Sequence, residues 1–178
     1  QLFVLSESEF HHIGRAIVEW SLGDGGTPIP SHDSLISNGR DAGRPPRAFL
    51  SYSWSDPALK EWVKWVATEL RRAGIESRLD VWHVSPGMDL AQWMTNELEL
   101  ADRVLLFCDE AYARKAAGRQ GGVGWETRIV QGDLLISQTT NPSKYIPIIA
   151  SDEAAAGTPA YLKATYCIHW PLSRSRDR

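Results

Sequence analysis

The chain has 178 residues, 43% of them hydrophobic with 8 Trp, a formal net charge of −3 and a sequence pI near 6.0. That length suits one domain of about 100–200 residues plus an appendage, and the apolar content excludes global disorder. The charge balance gives no electrostatic case for a nucleic-acid or membrane partner, and no apolar run approaches the ~18 residues of a membrane span.

The first residue is Gln1 and no signal-peptide pattern follows it, which points to a processed chain or an excised piece of something longer, with the cytoplasm as the expected compartment. Two cysteines, Cys108 and Cys167, are too few for a disulfide framework and read as buried thiols in a reducing compartment. No Cys-x-x-Cys, His-x-x-x-His or His-Glu-x-x-His spacing supports a metal site.

Residues 1–22 read as a helical extension, with Phe10, Ile13, Ile17 and Val18 or Trp20 at helical spacing and Ser6 or Ser8 as its cap. Residues 23–46 lose all periodicity to Gly, Pro, Ser and charge, the composition of a linker. A globular domain is expected over 47–172, with a charged tail at 173–178.

Within it, Ala48–Ser51 reads as a short apolar strand. Pro57 suits the first turn of a helix capped by Ser55 or Asp56. Leu59, Trp62, Val63, Val66 and Leu70 then recur at the spacing of one buried helical face, which Gly74 ends. Ile75–Val81 reads as the second strand, Trp82–Gly87 as a loop, and Asp89–Leu100 as a helix burying Leu90, Trp93, Met94, Leu98 and Leu100. Arg103–Cys108 is the third strand and Tyr112–Ala117 a short helical turn. A glycine-rich turn, Gly121-Gly122-Val123-Gly124, leads to Trp125 and a helix over Glu126–Ile136. Lys144–Ala150 is the fourth strand, with Pro147 pointing to a nearby edge or a bulge, and residues 159–170 hold a short helix and a last strand at Cys167–Trp170.

Strands separated by helices imply βαβ crossovers, so the expected fold is α/β, a flavodoxin-like doubly wound parallel sheet. Pockets in such sheets lie beyond the carboxyl ends of the strands, which makes Glu126, opening the helix after the third strand, a site candidate. The plain alternative is a helix N-terminal acid favoured by the macrodipole, worth about 0.3–1 kcal/mol.

Five segments in order resemble the Toll/interleukin-1 receptor (TIR) superfamily, and specifically its SEFIR branch: Ala48–Trp54, Arg78–Leu90, Ala101–Cys108, Tyr112–Ala116 and Gly121–Glu126. The resemblance implies the same flavodoxin-like fold. In receptors and adaptors of that family the domain assembles through homotypic contacts. Many bacterial and plant members, and one animal axonal member, instead cleave NAD+, and such bacterial domains often act as effectors of antiviral defence beside a sensing module. The resemblance therefore implies Glu126 as the catalytic residue, NAD+ as substrate with no further cofactor, and a sensor module or partner chain on the N-terminal side. It also implies that Ser51–Asp56 line the pocket, while Trp82–Asp89 cover it or contact a neighbouring subunit. One departure stands out: many NAD-cleaving members place an aromatic about one helical turn before the glutamate, whereas Trp125 is adjacent to Glu126.

The chemistry asks little of the protein. The nicotinamide leaving group departs neutral and needs no proton, so the paired acid and base of a glycosidase are unnecessary. One carboxylate can grip the ribose hydroxyls and stabilise an oxocarbenium-like transition state. Tyr52 and Trp54 can stack on nicotinamide or adenine and attract the pyridinium charge, and are as well suited to a core or an interface. Ser51 and Ser53 can bond ribose or phosphate, or cap a turn. Arg78 can offset a pyrophosphate or face solvent, and Asp80, at the end of the second strand, faces the pocket or fixes the loop after it. Trp82 and Trp125 complete the expected substrate set, and His83, Pro86, Gly87 and Asp89 the expected assembly loop, where Pro86-Gly87 is a turn signal. No Gly-x-Gly-x-x-Gly opens a helix after the first strand, which sets aside a Rossmann cofactor site.

Overall fold

A computed structural model of the chain describes residues 44–117, 129–130, 132–135, 137, 141 and 144–172. The expected N-terminal helix, most of the linker, the glycine turn, Trp125, Glu126 and the charged tail lie outside these residues.

The first strand, β1, runs over Arg47–Tyr52, an apolar run entered from Pro45-Pro46. Helix α1 (Pro57–Arg72) starts where Asp56 accepts the Ala58 N–H at 2.8 Å, with Pro57 in the first turn, where a missing N–H costs nothing. Of the two caps compatible with the sequence, the structure takes Asp56. Asp56→Ala should therefore lower stability by about 0.5–2 kcal/mol, read as a shift of the denaturant midpoint at constant m-value. A smaller shift would mean that water caps this helix equally well.

Gly74, at φ +83°, turns the chain from α1 into β2 (Glu76–Arg78). Two expectations fail here. The strand stops after three residues instead of reaching Val81, and Asp80–His83 forms a short helix, α2, where sequence predicts strand and then loop. Local bonds explain this. The Asp80 carboxylate accepts the Val81 N–H at 2.7 Å and the His83 ring bonds the Leu79 carbonyl at 2.7 Å, offering the backbone a turn in place of a ladder.

Asp89 caps α3 (Leu90–Leu100), which buries Trp93, Met94, Glu97 and Leu98. Leu90 is half-buried and Leu100 is exposed, contrary to expectation, because the last residue of the helix clears the sheet. The third strand, β3, spans Arg103–Cys108 as predicted, and α4 (Glu110–Ala117) begins two residues earlier than expected, with Asp109 accepting the Tyr112 N–H at 2.7 Å. Residues 129–130 and 132–135 are helical. They precede β4 (Tyr145–Ile149), the unpredicted short helix α5 (Ala154–Gly157), a 3-10 turn (Ala160–Leu162) and β5 (Ile168–His169).

The sheet is parallel throughout, in the order β2-β1-β3-β4-β5. The two-residue period of the strands divides the core. Ala48, Leu50, Leu105, Phe107, Ile146 and Ile148 pack with α1 on one face, while Phe49, Val104, Leu106, Cys108, Tyr145 and Ile149 pack with α3 on the other. Pro147 is tolerated in an interior strand for the same reason. Lys144 and Ala150 bond to β3 and Ile149 bonds toward β5, so alternation turns the missing N–H of Pro147 to the side where the ladder opens only at Ile148.

Candidate functional site

The carboxyl ends of β1, β3 and β4 converge on one edge of the sheet, with the order reversing between β1 and β3. This edge is where open α/β sheets place ligands. Sequence predicts one pocket there; the structure separates its residues into two spaces.

The first is a small pocket of about 20 Å³ on the α3 side, lined by Ser51, Tyr52, Trp54 and Asp80 with Trp93 and Met94. It has room for about one water molecule. Asp80 is its polar centre. Buried at the start of α2, it accepts the Tyr52 hydroxyl at 3.1 Å and the Val81 N–H at 2.7 Å. Burial raises its carboxyl above the ordinary value of 3.8, against the opposing bonds from Val81, Tyr52 and Trp54 and the charge of Lys60. Asp80 thus faces this small space and also fixes the connection that follows.

The second space is a crevice of about 500 Å³ between α1 and α4, within the ~300–1,000 Å³ of small-ligand sites. Among the described residues, Asp56, Asp109, Glu110 and Asp152 bring four carboxylates to its wall against one guanidinium, that of Arg114, and Ser55 and Ser151 line it as well. Buried Ser53 donates to Asp109 Oδ2 at 2.7 Å and shares a 2.8 Å hydrogen bond with Ser55. This chain of bonds ties the loop after β1 to the start of α4. Such a wall suits a ligand rich in hydroxyls and carrying local positive charge. Among the described residues no cluster of three His, Cys, Asp or Glu side chains could hold a metal ion. Asp109 and Asp152 were not singled out as site residues by sequence, although Asp109 directly follows β3 and Asp152 lies three residues past the end of β4, which is the signal that finds them.

Other expected contacts are drawn elsewhere. Arg78 is committed to Glu97, with Nη2 at 2.8 Å and Nε at 3.1 Å, and is not free to meet a pyrophosphate. Trp54 is 53% exposed with Lys60 Nζ 5.3 Å from its ring centre, and Trp82 is 36% exposed under Arg71. Pro86 and Gly87 form an exposed type II turn: the Met88 N–H donates to the Ser85 carbonyl at 3.1 Å and Gly87 has φ +93°. Asp89, exposed at the end of this connection, accepts the Gln92 N–H at 3.0 Å and so caps α3. No helix among the described residues is long and apolar enough to cross a membrane.

A family profile described as the TIR domain matches residues 48–174. The crystal structure of a prokaryotic SEFIR domain is 38% identical to this chain, covering 74% of this chain and 87% of its own length at a TM-score of 0.59. The TIR domain of the Toll-related receptor TRR-2 from Hydra magnipapillata is 19% identical, covering 69% of this chain and 82% of its own at a TM-score of 0.45. The TIR domains of the activated Roq1 resistosome, which recognises the pathogen effector XopQ, are 15% identical, covering 58% of this chain and 57% of their own at a TM-score of 0.45. None of the curated proteins matches significantly.

Proposed function

This chain belongs to the TIR-domain family, and we propose that within it the protein cleaves the nicotinamide–ribose bond of NAD+ once it has self-assembled. The observation that carries this reading is the acidic crevice of about 500 Å³ outside the carboxyl ends of β1, β3 and β4. Breaking the C1′–N bond sends its electron pair to the pyridinium, which leaves as neutral nicotinamide. The ribosyl cation that remains is captured by water, giving ADP-ribose and a proton, or by an adenine nitrogen, giving a cyclic product. Carboxylates are the groups that stabilise such a cation and accept bonds from the ribose hydroxyls. Glu126, by its resemblance to the glutamate of NAD-cleaving members, is the residue assigned to that task, with Ser55 and Asp56 of the loop after β1 meeting the substrate at the crevice wall. The protein would act in the cytoplasm, as the effector part of a bacterial defence or signalling protein joined to a sensor.

The test is nicotinamide release from NAD+ by concentrated protein. Glu126→Gln should lower the rate by at least about 100-fold, or about 2.7 kcal/mol of transition-state stabilisation. Activity that survives both Glu126→Gln and Glu126→Ala removes this residue from the mechanism.

A second reading, a non-catalytic module for homotypic association, is favoured by the exposed Trp54, Trp82 and Met88 beyond β1 and β2. Oligomerisation indifferent to Glu126 substitution, with no loss of NAD+ at high protein concentration, selects that reading over the first.

A further inference from the structure

We propose that His83 and Arg71 form a proton-operated latch on the β2–α3 connection: neutral His83 keeps Arg71 seated over Trp82, and a proton on His83 Nε2 drives Arg71 off. The proposal begins with the tautomer. His83 Nδ1 lies 2.7 Å from the Leu79 carbonyl and 3.3 Å from the Leu79 N–H. One nitrogen cannot serve both, and the shorter contact makes Nδ1 the donor. Nε2 then carries a lone pair and faces Arg71 Nη2 at 3.4 Å. The opposite tautomer would set an N–H against a guanidinium N–H. The geometry therefore selects a neutral ring that accepts from Arg71.

Arg71 is held by three partners at once. Its Nη2 also donates to the Ser77 carbonyl at 3.0 Å, and its guanidinium carbon lies 4.0 Å from the Trp82 ring centre. Trp82 is next to His83 in α2, so the same guanidinium clamps both ring side chains onto the end of α1. Charged and polar groups face His83 from every side: Arg71 from α1, Arg78 from β2 and Glu97 from α3, while the Trp93 ring stacks on it at 6.5 Å and 17°. Glu97 is already bonded by Arg47 and Arg78, so it is poorly placed to take up a new cation. Protonation converts the Arg71 contact from acceptance to repulsion, and the side chain with the freer path to solvent is Arg71.

Burial chiefly, and then the Arg78 and Arg71 charges, hold the His83 pKa below its ordinary 6.5, against the Leu79 backbone bond and Glu97. The sign follows. The unfolded chain takes up this proton more readily, so the latch's contribution to stability is complete above 6.5 and is lost as the pH falls from there through the folded value. The connection carries Trp82, Pro86 and Gly87, the surface assigned to self-association, and the coupling of acidity to assembly rests on that reading; the latch itself does not.

Nuclear magnetic resonance between about pH 5 and 8 tests it, following the His83 ring and the Trp82 indole N–H, the latter identified by its loss in Trp82→Phe. In the wild type both signals should move together, with a midpoint below 6.5. In His83→Gln, whose amide oxygen can accept from Arg71 without titrating, the Trp82 signal should stay still. In Arg71→Gln the His83 midpoint should move to higher pH. A Trp82 signal that titrates alike in wild type and His83→Gln, or a His83 midpoint unmoved by Arg71→Gln, overturns the latch. Sedimentation over the same pH range separates the two ideas: a working latch with pH-independent association sinks only the assembly reading.

Discussion

Truncating Trp62 to alanine should destabilise the domain by about 3–5 kcal/mol, the cost of emptying a fully buried aromatic site. Trp62 is 0% exposed at the centre of the α1 face. Its ring meets Phe107 of β3 edge-on at 5.2 Å and 87°, and Trp170, beyond β5, at 4.6 Å and 81°. One side chain thus joins α1, the central strand and the segment after the last strand, and each such aromatic pair adds about 0.5–1.5 kcal/mol beyond burial. Helix α1 cannot sink to refill the space, because Leu59, Val63, Val66 and Leu70 already fix its height over the sheet. Trp62→Phe should cost much less. It keeps most of the apolar contact, and the indole N–H it removes is buried without an acceptor among the described residues. Urea midpoints of the two variants at constant m-value decide this. A Trp62→Ala loss near that of Trp62→Phe would mean that Phe107 and Trp170 close over the void.

Removing the carboxylate of Glu97 should cost a similar 3–5 kcal/mol, for an electrostatic reason. Glu97 lies almost fully buried on α3 and accepts from Arg47 Nη2 at 2.6 Å and from Arg78 Nη2 at 2.8 Å and Nε at 3.1 Å. These two arginines come from β1 and β2, so one carboxylate ties both strands to the helix that covers them. Glu97→Ala leaves the two guanidiniums facing each other. Glu76 approaches them at 3.9 and 3.7 Å, but it is half-exposed and its charge is screened. Burial by itself would raise the Glu97 carboxyl; the bonds and charges of Arg78 and Arg47 outweigh it and bring the value below the ordinary 4.5. A depressed folded value means stability that is complete above 4.5 and lost as the pH falls through the folded pKa. Glu97→Gln should therefore be destabilised at neutral pH and show a flatter acid limb than the wild type. An acid limb of unchanged slope would show that other carboxylates dominate the acid transition.

Several elements were legible in the sequence because their signal is local and periodic. Arg103–Cys108 is an uninterrupted apolar run, and α1 repeats its apolar residues on one face behind a Pro at its first turn. The switch from strand to helix at Asp80 was not legible. Val81-Trp82 has strand-like side chains, and what overrides them is a pair of bonds to backbone, from the Asp80 carboxylate and the His83 ring. Arg78 shows the same limit. Its place on a strand is readable, but its partner Glu97 lies 19 residues away on a helix whose packing is set by the whole sheet.

The candidate site divides in the same way. That polar residues follow β1 and β3 at the sheet edge is written in the chain, as is the position of Glu126 after the third strand. That Ser53 and Ser55 turn toward Asp109, while Tyr52 turns toward Asp80, is a consequence of the register of three strands.

The amino-acid order by itself determined the α/β alternation, the apolar faces and the family, because periodicity and motif spacing depend only on near neighbours along the chain. Only the tertiary structure decided which charges were consumed in pairing, which space stayed open and which carboxylates line it. Those outcomes depend on strand order and helix docking, where distant residues compete for the same partners at distances no linear spacing encodes.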